Sequence, residues 1–335
     1  MSKAMKIMLS IGAAVLIVGL ALGTAGFFLG GMNSVTVSRD GIHVVGSHEA
    51  QELIKVDETY AAFDAISINV DLLDEVIIKS GDTYAVRGQN YEDRGGLNAV
   101  VNNGILEITT PLVNGFGFGR NWTWNINFGF DVNRAERCYI EITIPEDAVL
   151  ESLYVDVDVS DVSFIDVKCD DLTADVDLGN LSLRNIVAEK ALLIDNCGDM
   201  TLTGFNSGTL ELKSDLGNVK IDGVLKGRNV IDSSSGNVTL MGIQVENLDL
   251  DVDLGDIKID GILEGDCTID SSSGNVALTL NQRESDLSYE VDLSLGEVRI
   301  NGRTVGGSMH NTIVGAKNTL RIDSDLGNVS LDFLK

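Results

Sequence analysis

The sequence predicts an all-β protein: a parallel β-solenoid with about 19 residues per coil, preceded by an irregular β-region and one N-terminal transmembrane helix. Three observations carry this. The phrase "IDSSSGNVTL" at Ile231 to Leu240 returns as "IDSSSGNVAL" at Ile269 to Leu278, and between them "VDLGDIKIDG" echoes "SDLGNVKIDG" at Ser214 to Gly223. Aligned on the small residue of the "GNV"-like turn, the copies fall at Ser160, Gly179, Gly198, Gly217, Gly236, Gly255 and Gly274, each 19 residues after the last, with looser copies at Gly296 and Gly327. Around each marker, apolar and polar residues alternate with the period of two that belongs to strands.

Taken in order, residues 1–6 form a short tail carrying Lys3 and Lys6. Residues 7–32 are 26 residues without a charge, as a helix about 39 Å long, enough to cross a bilayer. The lysines ahead of it place the N-terminus in the cytoplasm and the bulk of the chain outside. Two readings stay open, an uncleaved signal-anchor and a cleaved signal peptide, the small residues of "GTAG" offering a cleavage site.

Residues 33–150 alternate less regularly, in stretches such as "FDAISINVDLLDEVIIKSGDTYAVRG" and "RCYIEITIPEDAVL", and read as an N-terminal β-region or cap. Repeat stacks need atypical end units to shield their edges. Within this region the insert 114–130 holds Trp122 and Trp124 with four phenylalanines. It is either an exposed aromatic loop that binds glycan, peptide or bilayer, or a hairpin packed over the end of the core.

Residues 151–335 are the repeats. Two residues after the marker stand Val162, Leu181, Met200, Val219, Val238, Ile257 and Val276, and four after it Phe164, Leu183, Leu202, Ile221, Leu240, Ile259 and Leu278, both wholly apolar columns. A second strand precedes the marker, with mainly apolar residues five positions ahead (Leu212, Ile231, Leu250, Ile269). Identical columns favour parallel stacking over a run of antiparallel hairpins, which would share the alternation. The turn column itself, Gly179–Asn180, Gly217–Asn218, Gly236–Asn237, Gly255–Asp256 and Gly274–Asn275, forms a side-chain ladder in that arrangement. Two positions before the marker an acid tends to alternate with a neutral residue (Asp215, Ser234, Asp253, Ser272), which removes repulsion of about 1 kcal/mol between carboxylates one rung apart.

Lys and Arg total 24 against 51 Asp and Glu, a net charge of -27, so a nucleic-acid partner is excluded. Cys138, Cys169, Cys197 and Cys267 show no metal-like spacing and read as small buried residues. The three histidines form no triad or metal motif, and the serine triplets Ser233 to Ser235 and Ser271 to Ser273 read as turn-makers without a base. Binding candidates are the outward acids Asp232, Asp251, Asp253, Asp270 and Asp292, with Trp122 and Trp124. Paired carboxylates could serve a glycan-active β-helix hydrolase or lyase, or hold Ca²⁺ in a structural spacer, but short turns leave no room for a cleft and "DLGN" lacks the calcium nonapeptide. No cofactor other than Ca²⁺ is implied, and the expected protein is not an enzyme.

The phrases "FDAISINVDLLDEVIIKSGDTYAVRG", "LEITTP", "IEITIPEDAVLESLYVDVDVSDVSF", "DLGNVKIDG" and "SSSGNVTL" together resemble the bacterial "putative adhesin" family, a domain of unknown function, over residues 50 to 335. The resemblance implies a surface-exposed β-repeat domain, often membrane-attached and in some members linked to cell-envelope stress responses in Gram-positive bacteria, and no established reaction. The expected role is that of a cell-envelope interaction protein whose ligand is an envelope component, a cationic peptide or another surface protein. Its ligand would lie along a wall with Asp232, Asp251 and Asp270 on one face and Lys220, Lys258 and Arg299 on another.

Overall fold

The computed structural model describes residues 34–38, 41–45, 52–92, 96–110, 124–126 and 136–334, which fall in two compact units. The expected membrane segment 7–32 lies outside them, as does Trp122 with most of the insert 114–130. Among the described residues no helix is long and apolar enough to cross a membrane. They are all-β apart from 3₁₀ conformation at Glu92 and a 3₁₀ turn at Glu284–Asp286.

In the smaller unit the strands Ser34–Ser38, Gly41–Val45 and Trp124–Ile126 form an antiparallel sheet, with Thr36 opposite His43 on one side and Asn125 on the other.

The larger unit is a stack of parallel strands. Leu150 pairs with Cys169, Leu172 with Ala191, Leu210 with Asn229 and Leu250 with Ile269, each step being 19 residues. The same step runs through the strands after the turn, where Leu181 pairs with Met200, Val219 with Val238 and Ile257 with Val276. Successive rungs therefore place like residues above like. Ala174, Leu193, Leu212, Ile231, Leu250 and Ile269 from the first strands and Leu183, Leu202, Ile221, Leu240 and Ile259 from the second are fully buried in one continuous core. Removing one such leucine side chain costs about 2–5 kcal/mol, because its neighbours above and below are held by the ladder and cannot close the cavity.

The stack extends beyond the repeats. Ala65–Gly81 lies parallel to Leu150–Ile165, with one extra residue between Leu72 and Glu75 taken up as a bulge. Outside it come Ile105–Thr109 and Tyr139–Pro145, again parallel. Antiparallel strands then close that end: Asn98–Asn102 on Ile105–Thr109, Ala85–Tyr91 on Tyr139–Pro145, and Leu53–Thr59 on Ala85–Tyr91.

At the far end the rung order departs from the sequence order. Asp266–Ser273 pairs not with Leu287–Leu295 but with Asn318–Leu326, and Leu287–Leu295 lies beyond it. The order of turn glycines is thus Gly274, Gly327, Gly296: a Cβ on Gly327 would overlap the Gly274 carbonyl oxygen, and one on Gly296 that of Gly327. The chain skips one level, builds the outermost rung, and returns to fill the gap. Marker spacings of 22 residues (274 to 296) and 31 (296 to 327) provide the length, which is used by the 3₁₀ turn and by Arg303–Gly306 and Ser308–Asn311. Those two strands run antiparallel to the outermost rung and cap its edge.

Candidate functional site

The turn column lines one edge of the stack. Gly236 has φ 144° and its missing Cβ leaves room for the Gly217 carbonyl oxygen one rung away; Gly217, Gly236 and Gly255 stand directly over one another, and Gly179 and Gly274 continue the line. Beside it the backbone amides of Asn180, Asp199, Asn218, Asn237, Asp256 and Asn275 each donate to the side-chain oxygen of the preceding rung, at 2.7 to 3.1 Å. The ladder begins at Asp161 and passes from Asn275 to Asn328 before Glu297.

The outward acids of the first strands form a column of five. Asp232 pairs with Asp251, Asp251 with Asp270, Asp270 with Asp323 and Asp323 with Asp292. Asp270 and Asp292, consecutive among the outward acids named from the sequence, are thus not neighbours: Asp323, absent from that set, stands between them. Adjacent members are about 4.8 Å apart. Asp249 and Asp253 flank Asp251 on the same strand, so that rung alone presents three carboxylates. Burial first, then the charges of Asp232, Asp253, Asp270 and Asp249, push the Asp251 carboxyl up; Asp270 is pushed up by burial and Asp323, with Arg321 opposing. The nearby cations are engaged: Lys213 pairs with Glu211 at 2.8 Å and Arg321 approaches Asp323 at 3.7 Å. Lys220 and Lys258 belong to the second strands, separated by the rung of Thr239.

The column two positions before the turn gains regularity from the swap. From Asp177 onward it runs Asp177, Asn196, Asp215, Ser234, Asp253, Ser272, Asp325, Ser294, acid and neutral in strict alternation, whereas before Asp177 the column holds two further acids, Asp71 and Asp158. Asn196 donates to Asp177 at 2.6 Å and Ser294 to Asp325 at 3.4 Å.

Three features escaped sequence reasoning. The first serine of each triplet, Ser233 and Ser271, faces the core rather than the turn, in a buried column with Val176, Asp195, Ser214, Val252 and Ser324. Asp195 is fully buried there, its carboxylate oxygens meeting no protein donor in hydrogen-bond geometry. Burial pushes its carboxyl up to about 7, the nearby Cys197 amide opposing more weakly and Asp199 adding. Its signal was an acid in the apolar phase of a strand. Of the four cysteines, all free, Cys197 is exposed, correcting the expectation that all are buried.

Trp124 lies on the three-stranded sheet of the smaller unit. Among the described residues no group of three or more His, Cys, Asp or Glu side chains has the geometry to hold a metal ion.

A family model described as Toastrack DUF4097 matches residues 63–332. Among solved structures, a "putative adhesin" from Parabacteroides distasonis aligns at 12% identity over 84% of this chain and 98% of that one, with a TM-score of 0.48. A "putative lipid binding protein" from the same organism aligns at 14% identity over 85% and 97%, TM-score 0.44. A "putative adhesin" from Bacteroides fragilis aligns at 11% identity over 84% and 97%, TM-score 0.35. No curated protein matches the chain.

Proposed function

The chain belongs to the Toastrack DUF4097 family, and from that premise we propose that it is a non-catalytic interaction protein of the cell surface that binds cationic ligands on its acidic sheet face. In this reading residues 7–32 anchor it in the membrane, residues 33–150 supply the entry region and cap, and residues 151–335 are a β-solenoid with one coil per 19 residues. The observation that carries it is the column Asp232, Asp251, Asp270, Asp323, Asp292, flanked by Asp249 and Asp253. Five carboxylates one rung apart repel one another, by about 1 kcal/mol per neighbouring pair even at the dielectric of water. A polycation that neutralises them recovers that energy on binding. The charges stand on hydrogen-bonded neighbouring strands rather than on loops, so little ordering entropy opposes association. The peptide or envelope component is recognised through the spacing of its positive groups.

The test is titration of the full-length chain with an oligolysine probe. Binding is expected at low salt and falls steeply as salt screens the column. The triple variant Asp232→Asn/Asp251→Asn/Asp270→Asn binds at least about tenfold more weakly, a loss of about 1.4 kcal/mol. Unaltered binding by that variant, or none by the native chain, overturns the reading.

A further inference from the structure

The column immediately before the turn is an exposed apolar edge. At the end of each first strand the backbone begins to turn, so the inward-outward alternation breaks and two consecutive side chains, Asp177 and Leu178 for example, both face solvent. Leu178 is 50% exposed, Leu216 56%, Leu254 57%, Leu326 50% and Leu295 67%. In stack order from Leu178 the edge reads Leu178, Cys197, Leu216, Ser235, Leu254, Ser273, Leu326, Leu295, with Val159, 38% exposed, on the rung before Leu178. Large and small residues alternate from Leu178 to Leu326. Leu178, Leu216, Leu254 and Leu326 each share a rung with an acid (Asp177, Asp215, Asp253, Asp325), the terminal Leu295 shares its rung with Ser294, and each small residue shares its rung with Asn196, Ser234 or Ser272. The edge is thus a row of leucine knobs about 9.6 Å apart, two rungs each, with shallow notches floored by small neutral side chains.

We propose that this edge is a self-complementary contact in which a second copy of the chain, running antiparallel, seats its leucines in the notches of the first. The period decides the occupant. Only another copy is guaranteed the same two-rung repeat; an α-helix, repeating each heptad at about 10.5 Å, drifts by about 1 Å per knob. A two-fold axis between the rungs of Ser235 and Leu254 sets Leu254 opposite the second copy's Ser235, Leu216 opposite Ser273, and Leu326 opposite Cys197, while at the two ends Leu178 meets Leu295 side by side as an apolar pair. The same one-rung offset sets every Asp of the edge opposite a neutral residue, so the alternation that relieves repulsion within one chain also relieves it between two. An anionic bilayer or a second acidic face would meet all the carboxylates at once. The row spans about 34 Å over seven rung steps, and an edge this narrow buries less than the roughly 1,000 Å² of a stable complex. The contact is accordingly weak in dilute solution and strengthened where copies are concentrated on one surface.

This inference stands independently of ligand binding on the acidic face. Sedimentation velocity of the full-length chain, from micromolar to submillimolar concentration, is expected to show reversible dimerisation that tightens as salt rises, opposite to the salt response of polycation binding. Leu216→Ser/Leu254→Ser removes the knobs and weakens dimerisation about tenfold. Ser235→Leu/Ser273→Leu fills the notches and weakens it as much, although it adds apolar surface. Leu216 and Leu254 are exposed and Ser235 and Ser273 half-buried, and unchanged thermal unfolding of each variant checks that the fold persists. Association strengthened by notch filling means non-specific stickiness and overturns the proposal. So does a chain that stays monomeric throughout, or a dimer indifferent to both double variants. Asp232→Asn/Asp251→Asn/Asp270→Asn leaves this edge intact, so its dimerisation persists whatever happens to polycation binding.

Discussion

Asp195 offers the most quantitative test of how the core was built. It sits in an inward column between Val176 and Ser214, fully buried, with its carboxyl raised to about 7 from the ordinary 3.8. The unfolded chain releases that proton near pH 4, while the folded chain keeps it until about pH 7. Between these values folding takes up a proton, so this group's contribution to stability is greatest in acid, falls as pH rises through the window, and is level above it. The gap of about 3 pKa units corresponds to about 4 kcal/mol of destabilisation near pH 8, an upper figure for a group with an amide close by. Asp195→Val places in the column the residue already found at Val157, Val176 and Val252 and removes the titration. At about 2–4 °C per kcal/mol for a domain of this size, the variant should melt several degrees higher than the native chain near pH 8, the difference shrinking by that amount toward pH 4. Thermal unfolding by circular dichroism across that range reads it directly. Because the other acids titrate equally in both proteins, the difference between the two curves isolates Asp195. A pH-independent difference, or a less stable variant near pH 8, would refute the reasoning.

Two further outcomes follow from the turn column and the acidic face. Asn237→Ala removes an oxygen that accepts from the Asp256 amide at 2.9 Å and an amide that donates to Asn218 at 3.2 Å, so the unfolding midpoint should drop by the equivalent of about 1 kcal/mol; an unchanged midpoint would deny the ladder any role in stability. Chelation with EDTA should leave the melting curve of the full chain where it was, whereas a lowered midpoint would reinstate a bound divalent cation among the carboxylates.

The strands and their inward columns were legible because a period of two inside a period of 19 leaves one way to bury the apolar residues. Rung order at the far end was not, since sequence spacing records length and not level. The clue was the loss of the clock after Gly274, together with an alternation that fails in sequence as Ser272, Ser294, Asp325 and is restored in space as Ser272, Asp325, Ser294. The acidic wall was legible as Asp232, Asp251 and Asp270, whereas Asp323 needed the pairing. The exposed leucines of "DLGN" were hidden for a different reason. A leucine beside a strand reads as core, and only the geometry of the turn shows that the alternation has already broken.

The parallel rungs stack with the last two out of sequence order, and paired cysteines report it. In a Cys197→Ser background, Ser272→Cys with Asp325→Cys places two thiols on neighbouring parallel rungs, with Cα atoms about 4.8 Å apart, inside the range that a disulfide spans. Ser272→Cys with Ser294→Cys places them two rungs apart, about 9.6 Å, outside it. Mild oxidation of the folded chain should close the first pair and leave the second reduced; the reverse would mean that the rungs follow sequence order, and with it the contact of Asp323 with Asp270 and the acid-neutral alternation beyond Ser272 would be lost.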